Sequence, residues 1–177
     1  MPSYTYTSPF HLPIIQLDPQ ATGEPIRLAF LIESLFNLLT IPLITHPHLI
    51  LPHLLLHPEG ITPSTSFFAR LFGGLVVGAL TTGLLCGIPN TRTSIESRPI
   101  TYLILAAGEV MIIPILVLEL LKGGRVEDGA VVSVKGCLAG LGCLGGALGW
   151  RVWVLGFRRE WMGRYRVVQE QQGKKRE

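Results

Sequence analysis

Glu33, Asn37 and Glu109 stand in stretches otherwise made of Leu, Ile, Val, Ala, Phe and Gly. Two carboxyls held together away from water resist ionising together. A pair that shares a proton can act as acid and base in turn, assisted by Asn37. That combination suits an intramembrane enzyme on a lipidic substrate, with Glu33 and Glu109 as acid and base. It also suits a small oligomeric transporter that relays protons. The same residues read as a structural polar lock, in which the carboxyls only hold helices together. Arg70 and Glu119 are oppositely charged and near the same predicted membrane face, so they are expected to form a structural ion pair.

His53 and His57 have the i, i+4 spacing of a helical metal pair. Prolines interrupt their segment and no Cys or Asp accompanies them, so no metal site is expected. Cys86, Cys137 and Cys143 have no CxxC or metal spacing and read as small packing residues. The chain has no Gly-rich phosphate loop, no serine-centred nucleophile elbow and no aromatic RNA motif. No cofactor and no nucleic-acid partner is therefore expected.

The elements that carry these residues are membrane spans. The chain has 177 residues, of which 48% are hydrophobic and 15% charged. A soluble domain carries about 25% charged residues. Residues 71–91 contain no charge, and residues 99–121 contain only Glu109 and Glu119. A helix of about 20 residues matches a hydrocarbon core of about 30 Å. Four spans are predicted, over residues 26–44, 67–88, 100–121 and 131–157. The fold class is therefore all-α, a four-transmembrane-helix bundle that contacts the lipid bilayer. Residues 49–56, with Pro52 inside and Pro58 beyond, are too short to span and predict an interfacial segment between spans one and two. Residues 1–25 have no basic n-region and no long apolar core, and read as a flexible N-terminal arm. Residues 26–157 form the membrane domain, and residues 158–177 a basic tail.

In span four the charge-free centre is residues 136–150, so Lys135 and Arg151 are expected to flank it and snorkel outward. An even number of spans puts both termini on one side. That side holds eleven basic residues: Arg27, Arg92, Arg98, Arg151, Arg158, Arg159, Arg164, Arg166, Lys174, Lys175 and Arg176. The other holds four: Arg70, Lys122, Arg125 and Lys135. The positive-inside rule makes the termini cytosolic, and Trp150, Trp153, Phe157 and Trp161 mark that interface. Lys174 and Lys175 then resemble the dilysine retrieval signal of endoplasmic reticulum membrane proteins. The alternative is a generic basic tail against anionic headgroups.

Glycines lie four apart in span two (Gly74 and Gly78, Gly83 and Gly87). Span four repeats this with Gly136 and Gly140, Gly142 and Gly146, beside Gly145 and Gly149. Such stripes let helix backbones approach closely, within the bundle or toward a membrane protein partner or a second copy. A polar residue in span one, a proline-bearing interfacial segment and Ala69-Arg70-Leu71-Phe72-Gly73-Gly74 opening span two resemble small four-helix membrane proteins of the DoxX-like type. The resemblance would cover residues 26–155 and implies a four-helix layout without a defined activity. The residues thus point to a non-catalytic membrane component or partner-binding subunit, with the enzyme and the transporter as alternatives.

Overall fold

Prolines and hydroxyl side chains decide where the helices begin. In the computed structural model, which describes residues 14–18, 21–123 and 131–168, helix α1 (Glu24–Leu38) starts behind Gly23, at φ 70. Two short helices follow, α2 (Ile41–Thr45) and α3 (Pro47–Leu54), each with proline in its first turn. Proline is favoured there because its missing N–H would have no helical partner. Helix α4 (Pro63–Leu75) opens with a capping box. Thr65 N donates to Thr62 Oγ1 at 3.2 Å, and Thr62 N donates to Thr65 Oγ1 at 3.4 Å. It runs through a π-helical turn, Val76–Leu80, into α5 (Thr81–Gly87). The Thr81 hydroxyl donates to the Val76 carbonyl at 2.9 Å within that wider turn. Thr91 caps α6 (Arg92–Leu121) and Ser133 caps α7 (Val134–Phe157).

Four helical runs are long and apolar enough to cross a membrane: Glu24–Thr45, Pro63–Gly87, Arg92–Leu121 and Val134–Phe157. The chain is an integral membrane protein with the expected all-α, four-span architecture. Several boundaries differ from those predicted. The third span starts at its Thr91 cap, and Pro99 lies inside the helix, forgoing the bond to the Ile95 carbonyl. The fourth starts at Val134 because the preceding backbone is extended. There Leu56 N donates to Val131 O at 2.9 Å and Ser133 N donates to Leu54 O at 2.8 Å. The interfacial segment is thereby tied to the root of α7.

Helix α6 packs on both α5 and α7, α1 packs on α5, and α2 packs on α4. The best-buried apolar cluster gathers Ile26, Phe30, Leu84, Tyr102, Val154 and Met162 at the end where the first and last described segments meet. Those segments belong to the stretches read from sequence as a flexible arm and a basic tail, and short pieces of the two pair as a ribbon. Strand β1 (Ile14–Leu17) pairs antiparallel with β2 (Tyr165–Val168), Leu17 opposite Tyr165. Tyr165 donates its hydroxyl to Glu96 at 2.8 Å, which fastens the ribbon to α6. Most large apolar side chains point outward, among them Leu35, Phe36, Phe68, Leu103 and Met111. In water this surface would aggregate, whereas acyl chains cover it at no cost.

The close approach of α1 and α5 depends on Gly87, where an added Cβ would run into the Phe30 ring. Gly149, by contrast, has open space around its Cβ position. Gly87→Ala should lower the melting midpoint in detergent, at a cost of about 1–3 kcal/mol. Gly149→Ala should be neutral or stabilising by up to about 1 kcal/mol. Equal effects at the two sites would contradict the packing of Phe30 on α5.

Candidate functional site

The two intramembrane carboxyls do meet, through a residue read from sequence as a flank. Arg151 of α7 donates from Nη2 to Glu33 Oε2 of α1 at 2.6 Å. Its Nη1 forms an ion pair with Glu109 Oε1 of α6. The Arg151 and Glu109 side chains are 5% and 8% exposed and that of Glu33 is 21% exposed, so the cluster is largely closed off. The guanidinium carbon lies 5.6 Å from the centre of the Tyr102 ring, a cation–π contact that strengthens where water is absent. Tyr102 is itself fixed. Its hydroxyl accepts from Trp150 Nε1 at 2.8 Å, and Phe30 meets its ring edge-on at 4.9 Å.

Arg151 does not snorkel. The helix continues past it to Phe157, placing it about 9 Å inside the helix end. The sequence did carry a signal: Trp153, Phe157 and Trp161 lie beyond Arg151, so the interface they mark is beyond it too. Two further consequences follow. Arg151 is no longer one of the interfacial charges from which the orientation is expected. The carboxyls face a common cation rather than each other, which relieves the mutual repulsion expected of a bare pair.

Polar atoms remain unbonded around the triad. Among the described residues, Glu109 Oε2 and Arg151 Nε of the triad, and Ser34 Oγ elsewhere on α1, are buried without a hydrogen-bond partner. The side-chain amide of Asn37, one turn beyond Glu33 and half-buried, makes no hydrogen bond among the described residues, and its main-chain carbonyl accepts from the Thr40 hydroxyl at 2.7 Å. The amide therefore neither orients a carboxyl nor joins the triad.

A second buried arginine closes the end of the bundle. Arg98 is fully buried and makes no ion pair with a carboxylate among the described residues. It donates from Nε to Gly87 O at 2.8 Å, from Nη1 to Met162 O at 2.6 Å and from Nη2 to Pro89 O at 3.0 Å. Arg27 adds a bond from Nε to Ile88 O at 2.7 Å. Two cations thus cap the carbonyl end of α5, where the helix dipole is negative. Gly23 and Gly163, at φ 70 and φ 90, leave room for Arg98, since a Cβ at either would collide with its guanidinium.

The expected Arg70–Glu119 pair is not formed. Glu119 pairs with Lys122, the residue that caps the end of its own helix, and accepts from Val131 N at 3.0 Å. Arg70 is exposed on α4, which packs on α2 and α3, whereas α6 packs on α5 and α7. His53 lies in the last turn of α3 and His57 lies past the extended Leu55, so they share no helix face. Among the described residues no group of three or more His, Cys, Asp or Glu is placed to hold a metal. Cys137 is buried, while Cys86 and Cys143 face outward. Of the glycines, Gly73, Gly87, Gly136 and Gly140 abut neighbouring side chains or backbone, but Gly74, Gly78, Gly142, Gly145, Gly146 and Gly149 meet nothing within 4 Å. Lys174 and Lys175 lie outside the described residues.

No protein-family model, curated protein or solved structure matches this chain.

If the triad holds three helices, its cation matters more than its charges as a set. Arg151→Met leaves buried carboxyls without a counter-charge and should cost about 3–5 kcal/mol. The triple variant Arg151→Met, Glu33→Gln, Glu109→Gln should recover part of that loss. Melting midpoints in detergent test this, and a harmless Arg151→Met would refute the lock.

Proposed function

We propose that this protein is a non-catalytic component of the membrane that serves as a partner-binding subunit. The observation that supports this best is the engagement of Glu33 and Glu109 by Arg151. A carboxyl held by a guanidinium and buried among aromatic rings is poorly placed to exchange protons with a substrate. The outward glycines of α7 supply the partner surface. Gly142, Gly145 and Gly149 are spaced three and four apart and are open around their Cβ positions, which lets another membrane helix or a second copy approach closely. The DoxX-like resemblance adds a layout to this reading and no activity.

A second reading, an intramembrane enzyme on a lipidic substrate, draws on one observation. Glu109 Oε2 is buried and unbonded, as a catalytic oxygen awaiting substrate would be. Glu33→Gln and Glu109→Gln separate the two. A subunit should keep its cellular phenotype wherever the variant reaches normal abundance. Loss of phenotype at full abundance in either variant would favour the enzyme instead.

We further propose residence in the endoplasmic reticulum with both termini cytosolic, from the basic asymmetry and the Lys174–Lys175 motif. A glycosylation acceptor placed within residues 45–66 should be modified, and one placed after Arg158 should not. Replacing Lys174 and Lys175 by Ser should release the protein to later compartments, and an unchanged distribution would remove the retrieval motif from the proposal.

A further inference from the structure

The segment that follows α7 is held rigidly at the edge of the bundle. Met162 is buried, its carbonyl accepts from Arg98, and Arg164 N donates to Ala21 O at 3.0 Å. Trp161 packs against Trp150 and Trp153, with ring centres 6.0 and 5.0 Å apart. Arg158 lies over two of these rings, 5.7 Å from the centre of Trp153 and 5.6 Å from that of Trp161.

Three exposed arginines, Arg158, Arg159 and Arg164, share this short stretch with a single carboxylate, Glu160. Arg158 meets Glu160 at 3.4 Å, with the two side chains 50% and 47% exposed. A contact so long and so solvated neutralises little. Arg159 uses Nε to reach the Leu155 carbonyl at 2.8 Å, which leaves its terminal nitrogens to project. Arg164 makes no ion pair among the described residues.

Their level in the bilayer follows from their neighbours. Phe157 ends α7 at 75% exposure, and Trp153 is 37% exposed beside it. Aromatic side chains of this kind settle where acyl chains meet headgroups. Guanidiniums a few residues further on stand at the phosphate layer. The planar fork of arginine matches two phosphate oxygens, and stacking on Trp153 and Trp161 orients one such fork. We propose that Arg158, Arg159 and Arg164 form a binding site for the phosphate of an anionic phospholipid. A zwitterionic headgroup carries its own cation, which competes for the phosphate, so the site selects for net negative charge. The rigid anchoring distinguishes it from a basic tail that merely hovers over the surface.

The test uses the full chain purified in a neutral detergent. Phosphatidylglycerol should raise the melting midpoint by about 2–4 °C, the scale of a modest ligand on a chain of this size. Equal concentrations of phosphatidylcholine or inorganic phosphate should not. The triple variant Arg158→Gln, Arg159→Gln, Arg164→Gln should lose the shift, and Lys174→Gln, Lys175→Gln, Arg176→Gln should keep it. Because losing the Trp stacking could itself lower the midpoint, native mass spectrometry supplies a second readout. Retention of phosphatidylglycerol over phosphatidylcholine should fall toward parity in the first variant only. An equal shift with phosphatidylcholine, or with inorganic phosphate, would overturn the site. So would full retention in the first variant, or loss in the tail variant.

Discussion

A guanidinium inside a bilayer must be matched by negative charge or by hydrogen-bond acceptors, and helices α1, α6 and α7 are positioned by how Arg151 meets that requirement with two carboxylates. Leaving the cation unpaired in lipid costs at least about 2.5 kcal/mol. Here Glu33 and Glu109 approach from two other helices, and the Tyr102 ring lies against the same group. Because α1 packs mainly on α5 while α7 packs mainly on α6, the Glu33–Arg151 bond connects two helices that share little apolar contact. The cation therefore does through charge what a wider apolar interface would do in a soluble bundle.

The end of the molecule beyond the triad is sealed by a different device. Arg98 and Arg27 satisfy the carbonyls from Gly87 to Pro89, and Arg98 also reaches Met162. A helix end in a low-dielectric setting needs partners for its last carbonyls, and arginine side chains provide them without a carboxylate. This fixes the turn at Arg159–Met162 over the bundle and brings β2 within reach of β1. Ile26, Phe30, Tyr102 and Val154 are buried in one cluster, and Tyr102 joins it to Arg151. The order of the structure is thus concentrated at the end where the ribbon forms.

The surface carries the functional consequence. The triad draws the ionisable groups inward and leaves the lipid-facing sides of the spans almost wholly apolar. Among the described residues, the open glycine stripe of α7 and the arginines beyond Phe157 are the surfaces on which the two proposals rest. The first matches the approach of another helix, and the second matches the phosphate layer.

Length and charge scarcity alone determined the four spans, because a hydrocarbon core accepts only long apolar helices, whatever their neighbours. Glu33 and Glu109 were legible for the same reason, since a carboxyl in such a helix must face inward. Their convergence needed only similar depth. The partner that joins them was not legible, because Arg151 sits so near the end of a charge-free run that snorkelling and burial read alike. Only the rotation of α7 about its axis, set by packing against α6, decided between them. The pairing of Glu119 with Lys122 rather than Arg70, and the ribbon built from residues 14–17 and 165–168, were likewise tertiary decisions. Depth in a membrane is written along one chain, whereas which helix stands beside which depends on contacts between distant segments.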